Sequence, residues 1–486
     1  MKVLLSSQIK SAEDNAVKNG IFSYGELMKK AGDAASREIL NRYNLVGKKI
    51  CVLCGNGNNG GDGLVIASNL KRNGADVFLL TPIGFPSTDT ALLFKDSVSC
   101  IKILDDFTAD FDVVIDALFG IGLNRFLSEN LSKLIEKINA YDCVKIAIDI
   151  PSGLFCDGGE VLSAFKADLT LSFTSYKLCQ LLPQTSEYCG EIVILDIDLP
   201  VEEYAYLTID QPQKVARPKN SHKGTFGTVA MFCGSYGMCG AEILASRAAL
   251  RSGAGIVKAV VCDKNYSAFT SSVPEAVTIP VSTTAEGAPE VYDRTILSLL
   301  SSSNALLIGC GLGRSDESKK LVLRVLEKTR IPTVIDADGI NALQGNIDII
   351  RKINAPVILT PHPAEMARLC DTTTDVIESN RVKYAKKFAV ENNCYLVLKG
   401  SNTIVATPNG RIFFNTTGND GLATGGSGDV LSGMIASRLA QCYEPITAVL
   451  NSVWLHGAVA DNLAQCVPTR AILPSDIVEG LKIISD

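Results

Sequence analysis

Short apolar runs alternate along this chain with longer segments in which apolar residues recur at helical spacing. The run Lys49–Cys54 predicts a buried strand, and a helical segment before it, residues 8–43, carries Leu27, Met28 and Ala31 on one face. Comparable apolar runs recur in both halves of the chain, and most end at glycine, asparagine or aspartate. Strands that alternate with helices predict an α/β fold with parallel sheets.

The densest group of glycines lies in the segment T-G-N-D-G-L-A-T-G-G-S-G-D-V-L-S-G, residues 417–433. A helix is predicted from Val430, directly after this loop. Unpaired N–H groups at such a helix start suit a phosphate, but the carboxylate of Asp429 would repel one. We therefore interpret Asp429 as a base for a substrate hydroxyl, with a role as the helix N-cap as the alternative.

A second glycine-rich loop, G-N-G-N-N-G-G-D-G at residues 55–63, follows the strand Lys49–Cys54 and precedes a helix predicted from Leu64. Its glycine spacing matches the dinucleotide-binding fingerprint G-x-G-x-x-G. The acidic residue that would bind a ribose does not follow the next strand, so ordinary NAD binding is not predicted. The asparagines and the aspartate of the loop instead suit a hard cation or a polar substrate.

Two further strands of the first half end in aspartate, at Asp116 and at Asp149. The loops that follow them contain F-G-I-G-L-N-R and I-P-S-G-L. Ligands bind at the carboxyl ends of the strands in open parallel sheets, so these loops and the 55–63 loop are predicted to form one functional crevice. Taken singly, each aspartate is equally compatible with a cap or turn role. Lys177, in a later loop, is a weak signal.

Strands of the second half also end in loops with candidate chemistry, namely G-C-G-L-G at 309–313, D-A-D-G at 336–339, T-P-H-P-A-E at 360–365 and K-G-S-N-T at 399–403. Lys399 and the hydroxyl and amide side chains after it suit a nucleotide phosphate or ribose. With Asp429 facing the acceptor, this half predicts a small-molecule kinase of the ribokinase type.

Composition and charge narrow the range of partners. The 486 residues carry a net charge of -6 with a pI near 5.4, which argues against binding nucleic acid or an acidic membrane surface. The cysteines lie mostly in apolar runs, so we expect reduced thiols. Only three histidines are present, which disfavours a histidine-rich zinc site. The first residues show no secretory signal pattern, and we expect a cytoplasmic protein.

A polar, proline-containing segment at residues 208–219 marks the predicted domain boundary. Eight motifs occur in order along nearly the whole chain: N-N-G-G-D, D-A-L-F-G-I-G-L, D-I-P-S-G-L, H-K-G, G-C-G-L-G, D-A-D-G-I-N, T-P-H-P-A-E-M and A-T-G-G-S-G-D-V-L-S-G. In these motifs the chain resembles the family of bifunctional NAD(P)H-hydrate repair enzymes. The resemblance implies a Rossmann-like, doubly wound epimerase domain at 1–210 and a ribokinase-like α/β dehydratase domain at 216–486.

The resemblance further implies that the first domain interconverts the R and S epimers of hydrated NADH or NADPH at C6, with Asp149 as the acid/base. It implies that potassium is bound by Asn59, Asp116 and Ser152. The residues implied to hold the hydrate are Asn58, Asn59, Gly60, Gly61, Asp62, Gly120, Ile121, Gly122, Leu123, Asn124, Arg125, Phe126 and Asp149.

For the second domain, the resemblance implies dehydration of the S epimer at the expense of ADP, giving NAD(P)H, AMP and phosphate, with Asp429 removing the hydroxyl proton and Mg²⁺ neutralising phosphate charge. The residues implied to contact the hydrate are Ala241, Gly311 or Gly313, His362 and Asp429. Those implied to contact the nucleotide are Lys399, Gly400, Ser401, Asn402, Thr403, Asn419, Thr424, Gly425, Gly426, Ser427 and Gly428. The chain departs from the family at Cys310 and Asp420, where proline is common.

Two other functions are compatible with parts of this pattern. One is a plain hydroxyl kinase for a vitamin precursor or sugar, with the first domain as a regulatory partner. The other is a nucleotide-sensing binding protein, which would not need Asp149 or Asp429. We expect a homo-oligomer whose partners are hydrated NADH and NADPH and ADP, with neither nucleic acid nor a membrane among them.

Overall fold

The computed structural model describes residues 1–108, 110–212 and 217–483. The chain divides into two compact units, Met1–Leu207 and Thr208–Asp486. The start predicted for the second domain, residue 216, lies outside the described residues. Within the described part of the chain, no helix combines the length and the apolar character needed to cross a membrane.

The first unit is built on a parallel sheet of seven strands in the order β4-β3-β2-β5-β6-β7-β9. The strands of this unit are β1 Lys2–Leu4, β2 Lys49–Cys54, β3 Asp76–Leu80, β4 Lys102–Leu104, β5 Val113–Ala117, β6 Val144–Ile148, β7 Leu169–Phe173, β8 Tyr176–Lys177, β9 Glu191–Leu195 and β10 Tyr206–Thr208. The order reverses between β2 and β5, and a ligand crevice forms at the carboxyl ends of strands at such a point.

The helices of the first unit are α1 Ser6–Lys18, α2 Tyr24–Arg42, α3 Asn58–Arg72, α4 Asp89–Leu92, α5 Glu129–Asn139 and α6 Pro183–Ser186. Alternate residues of β2 belong to separate core clusters, with Ile50 and Val52 on one face and Cys51 and Leu53 on the other. Both faces of the sheet are therefore buried, as expected for a doubly wound fold.

One predicted helical segment of this unit contains a break, and the start predicted for another helix was wrong. Residues 8–43 form two helices, because Ser23 caps α2 and its side chain accepts a hydrogen bond from the amide of Glu26. The helix predicted from Leu64 begins earlier, at Asn58, so the glycine-rich segment contributes its first turns. A Cβ at Gly60 would lie 1.9 Å from the Gly55 carbonyl oxygen, so here glycine permits close packing of a helix start.

In the described part of the second unit, nine strands follow the order β13-β12-β11-β14-β15-β16-β17-β18-β19. Neighbouring strands from β13 to β17 are parallel, and β18 and β19 add an antiparallel hairpin. These strands are β11 Thr228–Phe232, β12 Ile256–Cys262, β13 Val277–Val281, β14 Ala305–Ile308, β15 Thr333–Ile335, β16 Val357–Leu359, β17 Tyr395–Leu398, β18 Ile404–Ala406 and β19 Ile412–Phe414.

The α-helices of the second unit are α7 Cys239–Arg251, α8 Tyr266–Ser272, α9 Asp293–Ser301, α10 Asp316–Lys328, α11 Asp338–Ala342, α12 Asp348–Arg351, α13 Pro363–Leu369, α14 Thr374–Ser379, α15 Arg381–Glu391, α16 Ser427–Ala440, α17 Pro445–Ala464 and α18 Pro474–Gly480. Helix α16 is buried along nearly its whole length. A helix enclosed in this way holds its first turn in a fixed position, which matters because that turn carries Asp429.

Candidate active sites

A cavity of about 850 Å³ opens in the first unit at the ends of its strands. The predicted residues that line it are Asn58, Asn59, Asp62, Gly120, Ile121, Gly122, Leu123, Asn124, Arg125 and Asp149. Three other residues predicted to hold the hydrate do not line it. Gly60 and Gly61 are buried within α3, and Phe126 is 44% exposed with its ring against that of Phe155.

Asp149 follows β6 in a left-handed backbone conformation with φ of +69°. Its carboxylate Oδ1 lies 2.5 Å from Lys177 Nζ, and the side chains are 11% and 1% exposed. The same ammonium donates to Ser172 Oγ and to the Phe173 carbonyl oxygen, each at 2.9 Å. Lys177 therefore fixes the position of the Asp149 carboxylate, a role that its sequence context did not indicate.

Gly120 joins two of the predicted loops at this cavity. A Cβ on it would lie 3.1 Å from Asp149 Oδ2 and 3.3 Å from Asn59 Cγ. The 55–63 loop, the loop after Asp116 and the end of β6 thus come together, as predicted from their places in the sheet.

Asp116 and Ser152, two of the predicted potassium ligands, are in direct contact behind the cavity. The Ser152 amide and hydroxyl each donate to the Asp116 carboxylate at 2.7 Å, and the Leu118 amide donates at 3.1 Å. Burial raises the pKa of Asp116 to about 6, and these hydrogen bonds oppose the shift. The third predicted ligand, Asn59, donates through Nδ2 to the Ile148 carbonyl oxygen at 3.4 Å.

This set of donors fits a hard monovalent cation. Asp116 is fully buried, and among the ion pairs of the described residues no lysine or arginine is its partner. A buried carboxylate without a positive partner is costly unless a cation compensates it. Carboxylate, amide and hydroxyl oxygens are the ligands that such cations prefer.

Two further carboxyl groups, those of Glu13 and Asp62, line the same cavity as Asp149. Burial and then the charge of Asp149 raise the pKa of Glu13 to about 7. The same two causes, in the same order, hold the pKa of Asp62 well above its usual value. Glu13 lies on α1, one residue from the buried Ala12, and no sequence motif marked it as a site residue.

In the second unit, Asp429 lies in the first turn of α16, and Gly426 occupies the N-cap position. The alternative interpretation of Asp429 as the N-cap is therefore wrong. Carboxylate oxygens of Asp429 and Asp336 and the thiol sulfur of Cys310 lie within 4.8 Å of one another. Burial and then the charge of Asp336 raise the pKa of Asp429 to about 6. A carboxyl group with this pKa is suited to general base catalysis near neutral pH.

Asp336, which the sequence indicated only as part of a turn, connects several groups around Asp429. Lys399 Nζ lies 2.9 Å from Asp336 Oδ1, and the Ser432 hydroxyl donates to Asp336 Oδ2 at 2.8 Å. A Cβ at Gly428 would lie 3.1 Å from Lys399 Nζ. The structure thus brings the predicted Lys399, Gly428 and Asp429 together and adds Asp336 and Ser432 to them.

Three predicted hydrate contacts of this unit form one patch around Met238. A Cβ at Gly311 would lie 2.9 Å from the Ala241 Cβ and 2.8 Å from the Met238 carbonyl oxygen, and one at Gly313 would lie 3.2 Å from Met238 Cε. Both glycines have positive φ, so the backbone there also favours glycine.

His362, the fourth predicted hydrate contact, is the N-cap of α13. Its Nδ1 accepts from the amides of Ala364 and Glu365 at 3.1 and 3.3 Å. Burial and then the positive charge of Lys399 lower the pKa of His362. Because its pKa lies below the usual value, the imidazole is neutral at physiological pH. Lys399 is the charged group that affects it most.

The predicted nucleotide contacts fall into two segments. In the turn 399–403, the buried Arg381 donates to the carbonyl oxygens of Leu398 and Lys399, each at 3.1 Å, and the Thr403 hydroxyl donates to the Gly400 carbonyl oxygen at 2.9 Å. Ser401 is exposed and Asn402 has φ of +50°. Arg381 thus holds the turn in place, although no sequence signal marked it.

The second segment is the glycine loop before α16. The Asn419 amide donates to Asp461 Oδ1 at 3.0 Å, and Ser427 Oγ lies 3.3 Å from His456 Nε2. Thr424 and Gly425 are exposed, and Gly426 is partly exposed with φ of +102°. The loop is therefore anchored at both ends, with exposed backbone between the anchors. Gly428 and Lys399 link it to the turn 399–403.

Comparison with known proteins follows this division into two sites. A family profile described as YjeF-related protein N-terminus matches residues 24–179, and one described as NAD(P)H-hydrate dehydratase matches residues 229–482. The chain is similar to the bifunctional NAD(P)H-hydrate repair enzyme Nnr of Moorella thermoacetica, at 34% identity over 94% of this chain and 92% of that protein. It is 33% identical to the Escherichia coli protein of the same name, over 94% of this chain and 89% of that protein.

Among solved structures, the ADP/ATP-dependent NAD(P)H-hydrate dehydratase of Bacillus subtilis, co-crystallised with ATP/Mg²⁺, is 33% identical, with a TM-score of 0.49 over 55% of this chain and 92% of that chain. The predicted fold class, a Rossmann-like unit followed by a ribokinase-like unit, is confirmed. Since identity above 30% extends over nearly the full length of the two repair enzymes, the chain belongs to the family of bifunctional NAD(P)H-hydrate repair enzymes.

Proposed function

We propose that this protein repairs hydrated nicotinamide nucleotides in two steps. It interconverts the R and S epimers of hydrated NADH and NADPH at C6, and it dehydrates the S epimer at the expense of ADP. The observation that carries the proposal is the placement of Asp429, a partly buried carboxylate with a pKa of about 6, directly behind a glycine loop and beside Lys399. We assign epimerisation to residues 1–210 and dehydration to residues 216–486.

In the dehydratase, Asp429 accepts the proton of the C6 hydroxyl while the hydroxyl oxygen attacks the β-phosphorus of ADP. The new C6–O–P linkage forms as the bond to AMP breaks. The C6–O bond then breaks, phosphate leaves with the bonding electrons, and loss of a proton from C5 gives the C5=C6 double bond of NAD(P)H. Phosphorylation is needed because hydroxide is a poor leaving group and phosphate is a good one.

The neighbours of Asp429 support this assignment. Lys399 balances the charge of Asp336 at 2.9 Å, so the centre is not dominated by two uncompensated carboxylates. Mg²⁺ would supply positive charge against the phosphates of the nucleotide, and the carboxylate of Asp336, next to Asp429, would help to hold it. The glycine loop places exposed backbone amides at a helix start, where phosphate binds favourably.

In the epimerase, Asp149 is the acid/base at C6, and the ammonium group of Lys177 holds its carboxylate in position. The cavity of about 850 Å³ is large enough for a ligand of the size of a nicotinamide nucleotide. Potassium supplies a fixed positive charge when bound, and Asn59, Asp116 and Ser152 would hold it, which accounts for the buried carboxylate of Asp116. We also propose a cytoplasmic homo-oligomer that binds neither nucleic acid nor membranes, in keeping with its net charge of -6.

The test is the product balance of the purified full-length protein with the pure S epimer of hydrated NADH, Mg²⁺ and ADP. We expect NADH, AMP and phosphate in equal amounts, measured by ion-exchange chromatography. In a parallel reaction with ATP in place of ADP, a stable phosphorylated alcohol and no NADH would instead identify a plain hydroxyl kinase. Binding of ADP without any turnover would identify a nucleotide sensor.

A further inference from the structure

We propose that Glu13 is a second catalytic acid/base in the cavity of the first unit and works as a pair with Asp149. The inference rests on the proposed epimerisation and assigns one proton transfer to each carboxyl group. Neither the sequence motifs nor the potassium site includes Glu13.

The position of Glu13 is set by pairing at the start of the chain. Strand β1 pairs in parallel with β8, and Leu4 lies opposite Lys177 in that ladder. Helix α1 begins two residues later, and the Ser6 amide and hydroxyl both donate to Asp157, at 2.7 and 2.8 Å. The start of α1 is thus fixed beside the strand that carries Lys177, and Glu13, two turns along, lines the same cavity as Asp149.

Glu13 has no structural duty that would explain its position. Among the described residues, no hydrogen bond or ion pair is recorded for its carboxyl group, although it is half-buried. The ammonium group of Lys177 already serves Asp149, Ser172 and Phe173. Glu13 therefore shares a cavity with a fixed carboxylate, and its own carboxyl group has no hydrogen-bond or ion-pair partner in the described part of the chain.

The two carboxyl groups differ in the way that paired acid/base catalysis requires. Asp149 has a cation as its direct partner, Lys177 at 2.5 Å, whereas no such partner is found for Glu13 among the described residues. Burial and the nearby charge of Asp149 bring the pKa of Glu13 to about 7, so it exchanges a proton readily at neutral pH. Burial and then the charge of Asp149 also hold the pKa of Asp62, the third carboxyl group, well above its usual value.

The chemistry balances without any co-reactant. Protonated Glu13 gives its proton to the C6 hydroxyl, the C6–O bond breaks, and water leaves as the N1 lone pair forms an N1=C6 iminium ion. A water molecule then adds to C6 from the opposite face, and Asp149 accepts its proton. The product is the other epimer, and proton exchange with solvent restores protonated Glu13 and ionised Asp149. The reverse reaction uses the two groups in exchanged roles.

The test uses the full-length protein with the pure R epimer of hydrated NADH and no nucleotide, and follows the appearance of the S epimer by proton NMR. We expect Glu13→Gln to slow epimerisation by about 100-fold or more and Glu13→Asp to recover part of the rate. Glu136→Gln, on the exposed side of α5, is the matched control and keeps the wild-type rate. All three variants keep ADP-dependent dehydration of the S epimer, which shows that the second unit is intact, and an unchanged urea unfolding transition of the first unit shows that the substituted unit is folded.

The pH profile separates catalysis from a structural role. The charged groups that face Glu13 are Lys10 and Asp14 on α1 and Asp62, Asp149 and Lys177 on the surrounding elements. The wild-type rate from R to S should fall as pH rises above about 7, because Glu13 must be protonated, and Glu13→Gln should lack that fall. In isotopically labelled water, each inversion should place solvent oxygen at C6.

A Glu13→Gln variant with the wild-type rate and pH profile would overturn the proposal, as would inversion that retains the original oxygen at C6. Failure of the wild-type protein to accelerate epimerisation is a different result, because it would refute the proposed epimerase function itself.

Discussion

Lys177 Nζ and Asp149 Oδ1 lie 2.5 Å apart at the edge of the first unit's cavity, with the lysine side chain almost fully buried. The two residues come from different elements, β8 and the end of β6, and each is bound further by its surroundings. Gln180 Nε2 donates to the Asp149 carbonyl oxygen at 2.9 Å, which helps to hold its left-handed backbone conformation. This ion pair holds the Asp149 carboxylate in a fixed position at the cavity.

Replacement of Lys177 by methionine should remove both stability and epimerisation. It leaves the buried Asp149 without its cation, and breaking a buried pair in this way costs about 3–5 kcal/mol. We expect the free energy of unfolding of the first unit, measured by urea denaturation, to fall by this amount. R-to-S conversion should be lost as well. Lys133→Met is the control, because its ion pair with Glu129 is exposed on both sides and such pairs contribute about 0–1 kcal/mol. A Lys177→Met protein with unchanged epimerisation would show that Asp149 needs no partner.

Substitution of Gly120 by alanine should impair the epimerase by displacing two site residues at once. The new Cβ would meet Asp149 Oδ2 at 3.1 Å and Asn59 Cγ at 3.3 Å, so one of them must shift. We expect epimerisation to slow by about 10- to 100-fold, because small misplacements of catalytic groups have effects of this size. Gly240→Ala is the control, since a Cβ there meets nothing within 4 Å. Equal epimerisation rates in the two variants would contradict the assigned geometry.

The stability of the second unit should depend on the charge of Asp429. Its pKa is raised from 3.8 to about 6 in the folded protein, so the ionised form is disfavoured there. The loss of folding stability caused by ionisation of Asp429 is absent below pH 3.8, grows as the pH rises from 3.8 to about 6, and is constant at higher pH. Asp429→Asn should therefore raise the free energy of unfolding at neutral pH by about 1–3 kcal/mol.

The gain of Asp429→Asn should disappear when the same denaturation is measured below pH 3.8. Asp461→Asn is the matched control, because Asp461 is also an acidic residue and its carboxylate accepts a hydrogen bond from Asn419. It should lower stability at neutral pH, because two hydrogen bonds to its carboxylate weaken. A destabilised Asp429→Asn protein at neutral pH would mean that Asp429 is a structural carboxylate.

The dehydratase rate should fall as pH drops through about 6, because Asp429 must be ionised to accept the hydroxyl proton. The measurement is the rate of NADH formation from the pure S epimer with ADP at saturating concentration, across this pH range. Asp149→Asn serves as the control and should show the same profile, since its change lies in the other unit. A rate that stays constant from neutral pH to well below 6 would exclude Asp429 as the base.

Much of the fold could be predicted from the sequence, because its strands are short apolar runs with clear ends. The bounds of β2, Lys49–Cys54, are those of the predicted run. The loops after β2, β5 and β6 meet as predicted, since parallel strands direct their carboxyl ends to one edge. The start of α3 was misplaced because glycine and asparagine usually mark loops, whereas here close packing requires glycine inside a helix.

The residues that sequence analysis missed act through contacts between distant segments. Asp336 and Lys399 are 63 residues apart in the chain and meet only because β15 and β17 flank β16. Lys177 is a single lysine in a loop-like sequence, and its importance appears only beside Asp149. Glu13 lies in a predicted helical segment, and no motif there marks it as a site residue. Local patterns do not report such long-range pairings, so these residues required the structure.

The central claim is that one chain holds two separate activities that act in sequence on hydrated NAD(P)H. The most direct test mixes the protein with a racemic preparation of hydrated NADH, ADP and Mg²⁺ and follows the return of dihydronicotinamide absorbance. We predict complete recovery for the wild type, rapid recovery of only the S fraction for Asp149→Asn, and no recovery for Asp429→Asn. Absence of recovery in the wild type with either ADP or ATP would contradict the account.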